Sequence, residues 1–514
     1  MEQKKIGKVW LAGAGPGDVG LLTVKTRELL EQADIIVYDA LVSTEILSLI
    51  SSDKETIYVG KRSGRHSVSQ EEINRILLRE AMQGKNVLRL KGGDPLVFGR
   101  GGEELEMLAH ERIPFEVIPG ITSASAVPTY AGIPITHRDY ASSFHVITGH
   151  AKKDSPLNID YESLVKLDGT LIFLMGIGSL PQICKGLLVA GMEETMPAAV
   201  VEKGTTAEQR KIISDLKHIA EDVKKAQIQT PAIIIIGKVC ALSKQFDWMF
   251  HRPLSGRQFI LTRPRQNSAS LAKKIRNLGA QVLEIPTIRT VPITDNSCLK
   301  TAIEKKAEAC CMVFTSVIGV DMFFEKLQRM NMDIRTLFFS KKRIQFAVIG
   351  EATGQRLKKY GFYPDIMPDV YDAKNLGKEL AKQLSKNSEV LILRAKQGSK
   401  ELLPPLEKEG FKVEDIPLYD TFYEKNSVIG KEMVTMLQTN SLDAVVFTSG
   451  STVRGFVEMV QDKEILHGLS TVCIGAHTAE VAKKNGMSVQ IAKKATEDSV
   501  VECILQNYGR YDAC

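Results

Sequence analysis

Short apolar runs of strand length recur along the 514 residues, at 9–12, 35–38, 86–90, 116–118, 145–148, 170–175, 198–201 and 232–237. Between them, stretches such as 23–32 and 70–83 carry apolar residues at helical spacing. Strands alternating with helices predict an α/β chain with largely parallel sheets. The pattern pauses at 244–256, where Pro253, Ser255 and Gly256 punctuate the chain, and a new strand is expected at 259–262. The expected organisation is therefore a first half over 1–245, with lobes of about 1–137 and 138–245, a linker at 246–256, and a second half over 257–514.

The second half repeats itself. FILTRPRQ (259–266) matches VLILRAKQ (390–397), MVFTSVIGV (312–320) matches VVFTSGSTV (445–453), and AVIGEATGQRLKKYGF (347–362) matches VCIGAHTAEVAKKNGM (472–487). Three elements in one order at a near-constant offset predict two similar α/β lobes. A cleft between such lobes is the natural ligand site.

Composition narrows the class. The hydrophobic fraction of 44% and the charged fraction of 25% are those of a globular chain of several domains. No apolar run approaches the ~18–20 residues of a membrane helix. No signal peptide is visible, so the expected address is cytoplasmic. The net charge of +6 is spread thinly, which argues against nucleic acid as partner and suits a polyanionic small molecule. The eight cysteines include no Cys-x-x-Cys and the nine histidines no ligand spacing, so no metal site and no disulfide framework are expected.

Candidate chemistry sits in glycine-rich loops after strands. AGAGPGD (12–18) half-matches a dinucleotide fingerprint, but Asp18 stands where the third glycine belongs, Pro16 intrudes, and Asp39 falls early for a ribose ligand. RLKGGDPLVFGRGGEE (89–104) places Arg100 among bare glycines, and VIPGITSASAVPTYAGIPITHRD (117–139) offers hydroxyls followed by Arg138.

These clusters, with ADIIVYDALVS (33–43), YVGKRSGRH (58–66), FLMG (173–176), VEKGT (201–205) and TPAIIIIG (230–237), resemble the tetrapyrrole methylase family over about 8–242, and most closely uroporphyrinogen-III C-methyltransferase. The resemblance implies S-adenosylmethionine held by Pro16, Gly92, Gly93, Asp94, Val97, Thr122, Ser123, Met175, Gly204 and Ala232, with S-adenosylhomocysteine as product. It implies acid–base duty for Asp39 and Lys61, and substrate handling by Arg100, Glu103 and Arg138. The residue types suit the chemistry. A pyrrole carbon that has taken a methyl group must shed a proton, and a carboxylate can accept it. Uroporphyrinogen carries carboxylates that arginines, Arg62 and Arg65 among them, can clamp bidentately. A homodimer through this half is a further implication.

From residue 256 onward no nucleophile–base pair appears. LTRP, the doubled VFTS, CIGAHTAEVAKKNG and IPLYDT resemble uroporphyrinogen-III synthase over about 254–505. That likeness implies closure of hydroxymethylbilane with inversion of one ring, Tyr419 as proton donor, and Thr315, Ser316, Arg394, Thr448, Ser449 and Thr478 as carboxylate receptors. The combined expectation is a bifunctional enzyme whose second half makes uroporphyrinogen III and whose first half methylates it twice to precorrin-2. Two rival readings are a methylase acting on a later corrin or on RNA, and a second half that only senses a ligand.

Overall fold

The computed structural model describes residues 6–60, 68–150, 157–263, 265–305, 307–424, 429–439 and 441–510. The first apolar runs form β1 (Val9–Gly13), β2 (Ile35–Tyr38), β3 (Glu55–Tyr58), β4 (Val87–Lys91) and β5 (Phe115–Ile118). They pair in the order β3-β2-β4-β1-β5, parallel throughout. The three inner strands β2, β4 and β1 are buried along their whole length, as strands covered on both faces must be.

The second sheet joins β6 (Phe144–Thr148), β7 (Thr170–Leu174), β8 (Pro197–Glu202), β9 (Arg210–Asp215) and β10 (Ala232–Ile236) in the order β6-β7-β10-β8-β9. Here the expectation of parallel pairing fails. Only β6 and β7 run parallel, while β10 opposes both β7 and β8, and β8 opposes β9. The connection 203–209 is too short to return a chain for parallel pairing, which needs a dozen or more residues. The helix Ser123–Tyr130 packs on this sheet, since Ala124 and Val127 share a core with Ile172, Leu174, Val201 and Ile233.

The remaining strands are β11 (Gln258–Leu261), β12 (Gln281–Glu284), β13 (Ile288–Pro292), β14 (Ala307–Phe314), β15 (Lys341–Val348), β16 (Ser388–Ala395), β17 (Lys412–Tyr423), β18 (Ala444–Phe447), β19 (Ser470–Cys473) and β20 (Ser488–Ile491). They form two sheets, β12-β11-β18-β19-β20 and β13-β17-β16-β14-β15. The chain divides into two compact units, Ile288–Glu424 and the remainder. The sequence copies and the lobes do not coincide. Copy one contributes β11 to the first sheet but β14 and β15 to the second, and copy two contributes β16 to the second but β18 and β19 to the first. Each lobe is thus built from half of each copy. The strand orders β12-β11-β18-β19 and β17-β16-β14-β15 are equivalent, and all these neighbours pair in parallel.

Candidate functional site

Three strand ends of the first sheet meet without side chains. Gly15, at φ +72°, exchanges two hydrogen bonds with Gly93, of 3.1 Å and 2.7 Å. A Cβ on Gly13 would lie 2.5 Å from both the Gly93 oxygen and the Gly120 Cα, so only glycine permits this approach. Asp94 ties the loops together. Its Oδ1 accepts from the Leu96 and Val97 amides (2.8 and 3.2 Å), and its Oδ2 accepts from the Gly120 amide (3.0 Å). Asp94 is therefore the brace of the loop, as well as a candidate neighbour of ligand. Beside it Gly93, at φ +68°, presents an open side: the nearest atom to an added Cβ is the Ser123 nitrogen, 3.9 Å away. That leaves a cradle at the start of the helix Ser123–Tyr130, whose cap is the Thr122 hydroxyl. Leu96, Val97 and Ile121 are exposed apolar groups on the loops around it.

Loops of the second sheet close on the same place. Gly204 packs on Val127, where a Cβ would come within 2.3 Å of Cγ1. The Thr205 hydroxyl accepts from the Asp18 amide at 3.3 Å, and Tyr130 donates to Asp18 Oδ2 at 2.7 Å. Burial and the adjacent Asp18 carboxylate raise the Tyr130 phenol well above its ordinary range. Met175 follows β7 with a left-handed backbone, φ +58°, and an exposed side chain. Ala232 opens β10, and Pro16 is half-buried in the first loop. Asp18, Tyr130 and Thr205 were not among the expected site residues. Asp18 was signalled by its place in the glycine loop; its partners come from distant parts of the chain.

Asp39 follows β2 and reaches a buried ionic cluster. Its Oδ2 accepts from Arg89 Nη2 at 3.1 Å and its Oδ1 from the Leu41 amide at 3.1 Å. Arg89 Nε, Lys91 Nζ and Gln70 Nε2 all donate to Glu104 Oε1, at 3.3, 2.9 and 3.2 Å. Arg89, Lys91 and Glu104 are buried, and burial together with the Arg89 charge pulls the Lys91 ammonium down. The sequence reading left these three unassigned, although charges at alternate positions of an apolar strand were the available signal. Lys61, Arg62 and Arg65 lie outside the described residues.

Arg100 starts the helix Gly101–His110 at φ +56° and forks onto Glu103, with contacts of 2.8 and 2.6 Å. Both are exposed, and the Arg100 hydrogen bonds hold the Glu103 carboxyl below its usual range. Arg138 is exposed in the turn closed between His137 and Ala141.

In the unit Ile288–Glu424, Thr315 and Ser316 follow β14. Ser316 caps the helix Val317–Arg329 by accepting from the Gly319 amide at 2.9 Å, and its hydroxyl lies 2.9 Å from Tyr419 Oη. Tyr419 is buried, which raises its phenol. Arg394 is buried too and engaged within its lobe, by Asp415 and by the Ser399 carbonyl. In the other unit Ser449 repeats the Ser316 cap, accepting from the Thr452 amide at 3.3 Å, with half-buried Thr448 before it. Thr478 is buried in the helix Ala476–Lys484.

A family model described as "Tetrapyrrole (Corrin/Porphyrin) Methylases" matches residues 8–220, and one described as "Uroporphyrinogen-III synthase HemD" matches 269–502. The chain is 44% identical over 505 residues to the "Porphyrin biosynthesis protein HemD" of Ruminiclostridium josui, covering 98% of each chain. It is 52% identical over 242 residues to the siroheme synthase of Salmonella typhi, covering 47% of this chain and 52% of that one. Among solved structures, it is similar to the uroporphyrin-III C-methyl transferase from Thermus thermophilus complexed with S-adenyl homocysteine. That match has 40% identity and a TM-score of 0.40, over 46% of this chain and all of the other.

Proposed function

Because the chain belongs to the family of the porphyrin biosynthesis protein HemD, we propose that it carries out two successive reactions of tetrapyrrole synthesis. It is a uroporphyrinogen-III synthase and an S-adenosylmethionine-dependent C-methyltransferase. Hydroxymethylbilane is closed to uroporphyrinogen III with one ring inverted, and that product is methylated twice to precorrin-2. The observation carrying the methylase reading is the open side of Gly93 beside the start of the helix Ser123–Tyr130, at the convergence of side-chain-free strand ends.

The donor supplies an electrophilic methyl group. Pro16, Gly92, Gly93, Asp94, Val97, Thr122, Ser123, Met175, Gly204 and Ala232 would hold it. Asp39, held by Arg89 and by the Leu41 amide, takes the proton that the methylated pyrrole carbon releases. Arg100 exchanges Glu103 for a substrate carboxylate at no loss of bidentate geometry. In the synthase half, Tyr419 donates to the departing hydroxyl of hydroxymethylbilane. Its raised phenol stays protonated at neutral pH, and the Ser316 hydroxyl 2.9 Å away holds the phenol oxygen in place.

The test is product analysis of the full chain with hydroxymethylbilane and S-adenosylmethionine. The type-III isomer and its dimethylated derivative are expected. A type-I product alone would refute the synthase assignment, and unmethylated type III would refute the methylase assignment.

A further inference from the structure

β12 is an edge strand, and its outward amides meet the first half of the chain rather than solvent. The Val282 amide donates to Glu45 Oε1 at 3.4 Å, and the Glu284 amide donates to the Ser48 hydroxyl at 3.3 Å. Arg276, on the helix Arg265–Asn277 of the same lobe, donates to Glu45 Oε1 (2.7 Å), Glu284 Oε1 (3.1 Å) and the Val282 carbonyl (2.8 Å). Glu45 and Ser48 are only 3% and 2% exposed. Ile46, Leu47, Leu49 and Ile50 share one buried apolar cluster with Leu283 and Ile285. Capping an edge in this way is what keeps an open strand from pairing elsewhere.

The segment so held also carries the glycine loop. Ser43, one residue before the short helix Thr44–Leu47, accepts from the Ile46 amide and donates to the Gly17 carbonyl at 2.6 Å. Asp18, next in that loop, is a charge facing Glu45, along with Arg276, Glu284 and the Tyr130 phenol that donates to Asp18. Six residues thus join the loop on one side to a strand edge of the synthase half on the other.

We infer that the synthase lobe containing β12 is a working part of the methylase cofactor site, because its grip on residues 43–48 sets the position of the loop 15–18. The inference rests on reading that loop as part of the S-adenosylmethionine site, and the test separates the two. In the full chain, Arg276→Met is compared with Lys274→Ala, which lies on the same helix but pairs with Asp498 at the surface. Two readouts are taken: S-adenosylhomocysteine affinity by calorimetry and amide hydrogen exchange over residues 15–22. Arg276→Met should weaken binding at least fivefold and speed exchange of the loop, while Lys274→Ala changes neither. Ser48→Ala, a milder change that removes the acceptor of the Glu284 amide, should speed loop exchange at least twofold and serves if Arg276→Met does not fold. Unchanged exchange and affinity in Arg276→Met, or unchanged exchange in Ser48→Ala where that variant stands in, overturns the inference. A wild-type chain that binds no S-adenosylhomocysteine overturns the cofactor reading instead, and loop exchange still decides the coupling.

Discussion

Tyr419 Oη stands 2.9 Å from Ser316 Oγ, so the phenol is tied to the residue that caps the helix after β14. The two come from opposite ends of their lobe's sequence, 103 positions apart. The phenol oxygen is thereby held in one place before substrate arrives, and where Ser316 is the donor in this pair the Tyr419 proton is left for another acceptor.

Tyr419→Phe keeps the ring and removes that donor. Synthase turnover should fall at least tenfold, which corresponds to ~1.4 kcal/mol of barrier. Methylation of supplied uroporphyrinogen III should continue. Parent-rate formation of the type-III isomer by the Phe variant would place the acid elsewhere.

Arg100→Leu should raise KM for the tetrapyrrole ten- to hundredfold and leave S-adenosylhomocysteine affinity unchanged, because the guanidinium is exposed and pairs only with Glu103 among the described residues. Glu103→Gln weakens the competing ion pair and should lower that KM or leave it unchanged. Steady-state kinetics with uroporphyrinogen III measures both. Equal damage to both ligands would mean that Arg100 shapes the loop.

Asp94→Ala strips the acceptor from three loop amides. The Leu96 and Val97 amides are exposed and the Gly120 amide is partly buried, so the cost of an orphaned amide, about 1–3 kcal/mol where water cannot replace the partner, falls mainly on Gly120. The sequence alone suggests lost cofactor binding at constant stability, but the brace geometry predicts both a lower melting temperature and lost binding. Calorimetric titration and thermal unfolding of the same preparation decide between these outcomes.

Glu45 gives stability a pH dependence. Burial pushes its carboxyl up to about 7 against the opposing pull of Arg276, and that one guanidinium also faces Glu284. A folded-state value above the unfolded one means that the native protein holds a proton the unfolded chain has released. The protonated form prevails in both states below about 4.5, and stability is then lost as pH rises from there through about 7. Glu45→Gln removes the titration while keeping an oxygen for Arg276. The stability of the Gln variant relative to the parent should grow by roughly 2 kcal/mol between pH 5.5 and 8. Parallel pH profiles for the two proteins in denaturant unfolding would sink this account.

The methylase signature of the first half and the doubling of the second were legible in the sequence. The reason is local: strand runs, glycines at strand ends and serine caps such as Ser316 and Ser449 are set by backbone constraints within a few residues. Bare backbone at these strand ends was visible as glycines, but the close approach of Gly13 to Gly93 and Gly120 was not, because it depends on how three separate loops meet in the fold. Pairing partners far apart in the chain were a different matter. No periodicity tells that β10 runs against β7 and β8, since strand direction is fixed by how the connections cross the sheet. The sequence copies likewise could not reveal that each lobe takes half of each, because matching segments are alike wherever the chain crosses from one sheet to the other. The contact of Arg276 with Glu45 was equally hidden, since two isolated charges on ordinary helices carry no local mark of being buried together. The residue pattern determined which elements form and what chemistry they carry. Long-range burial and the pairing of charges inside it decided which of those elements share a site, and that is a property only the folded chain possesses.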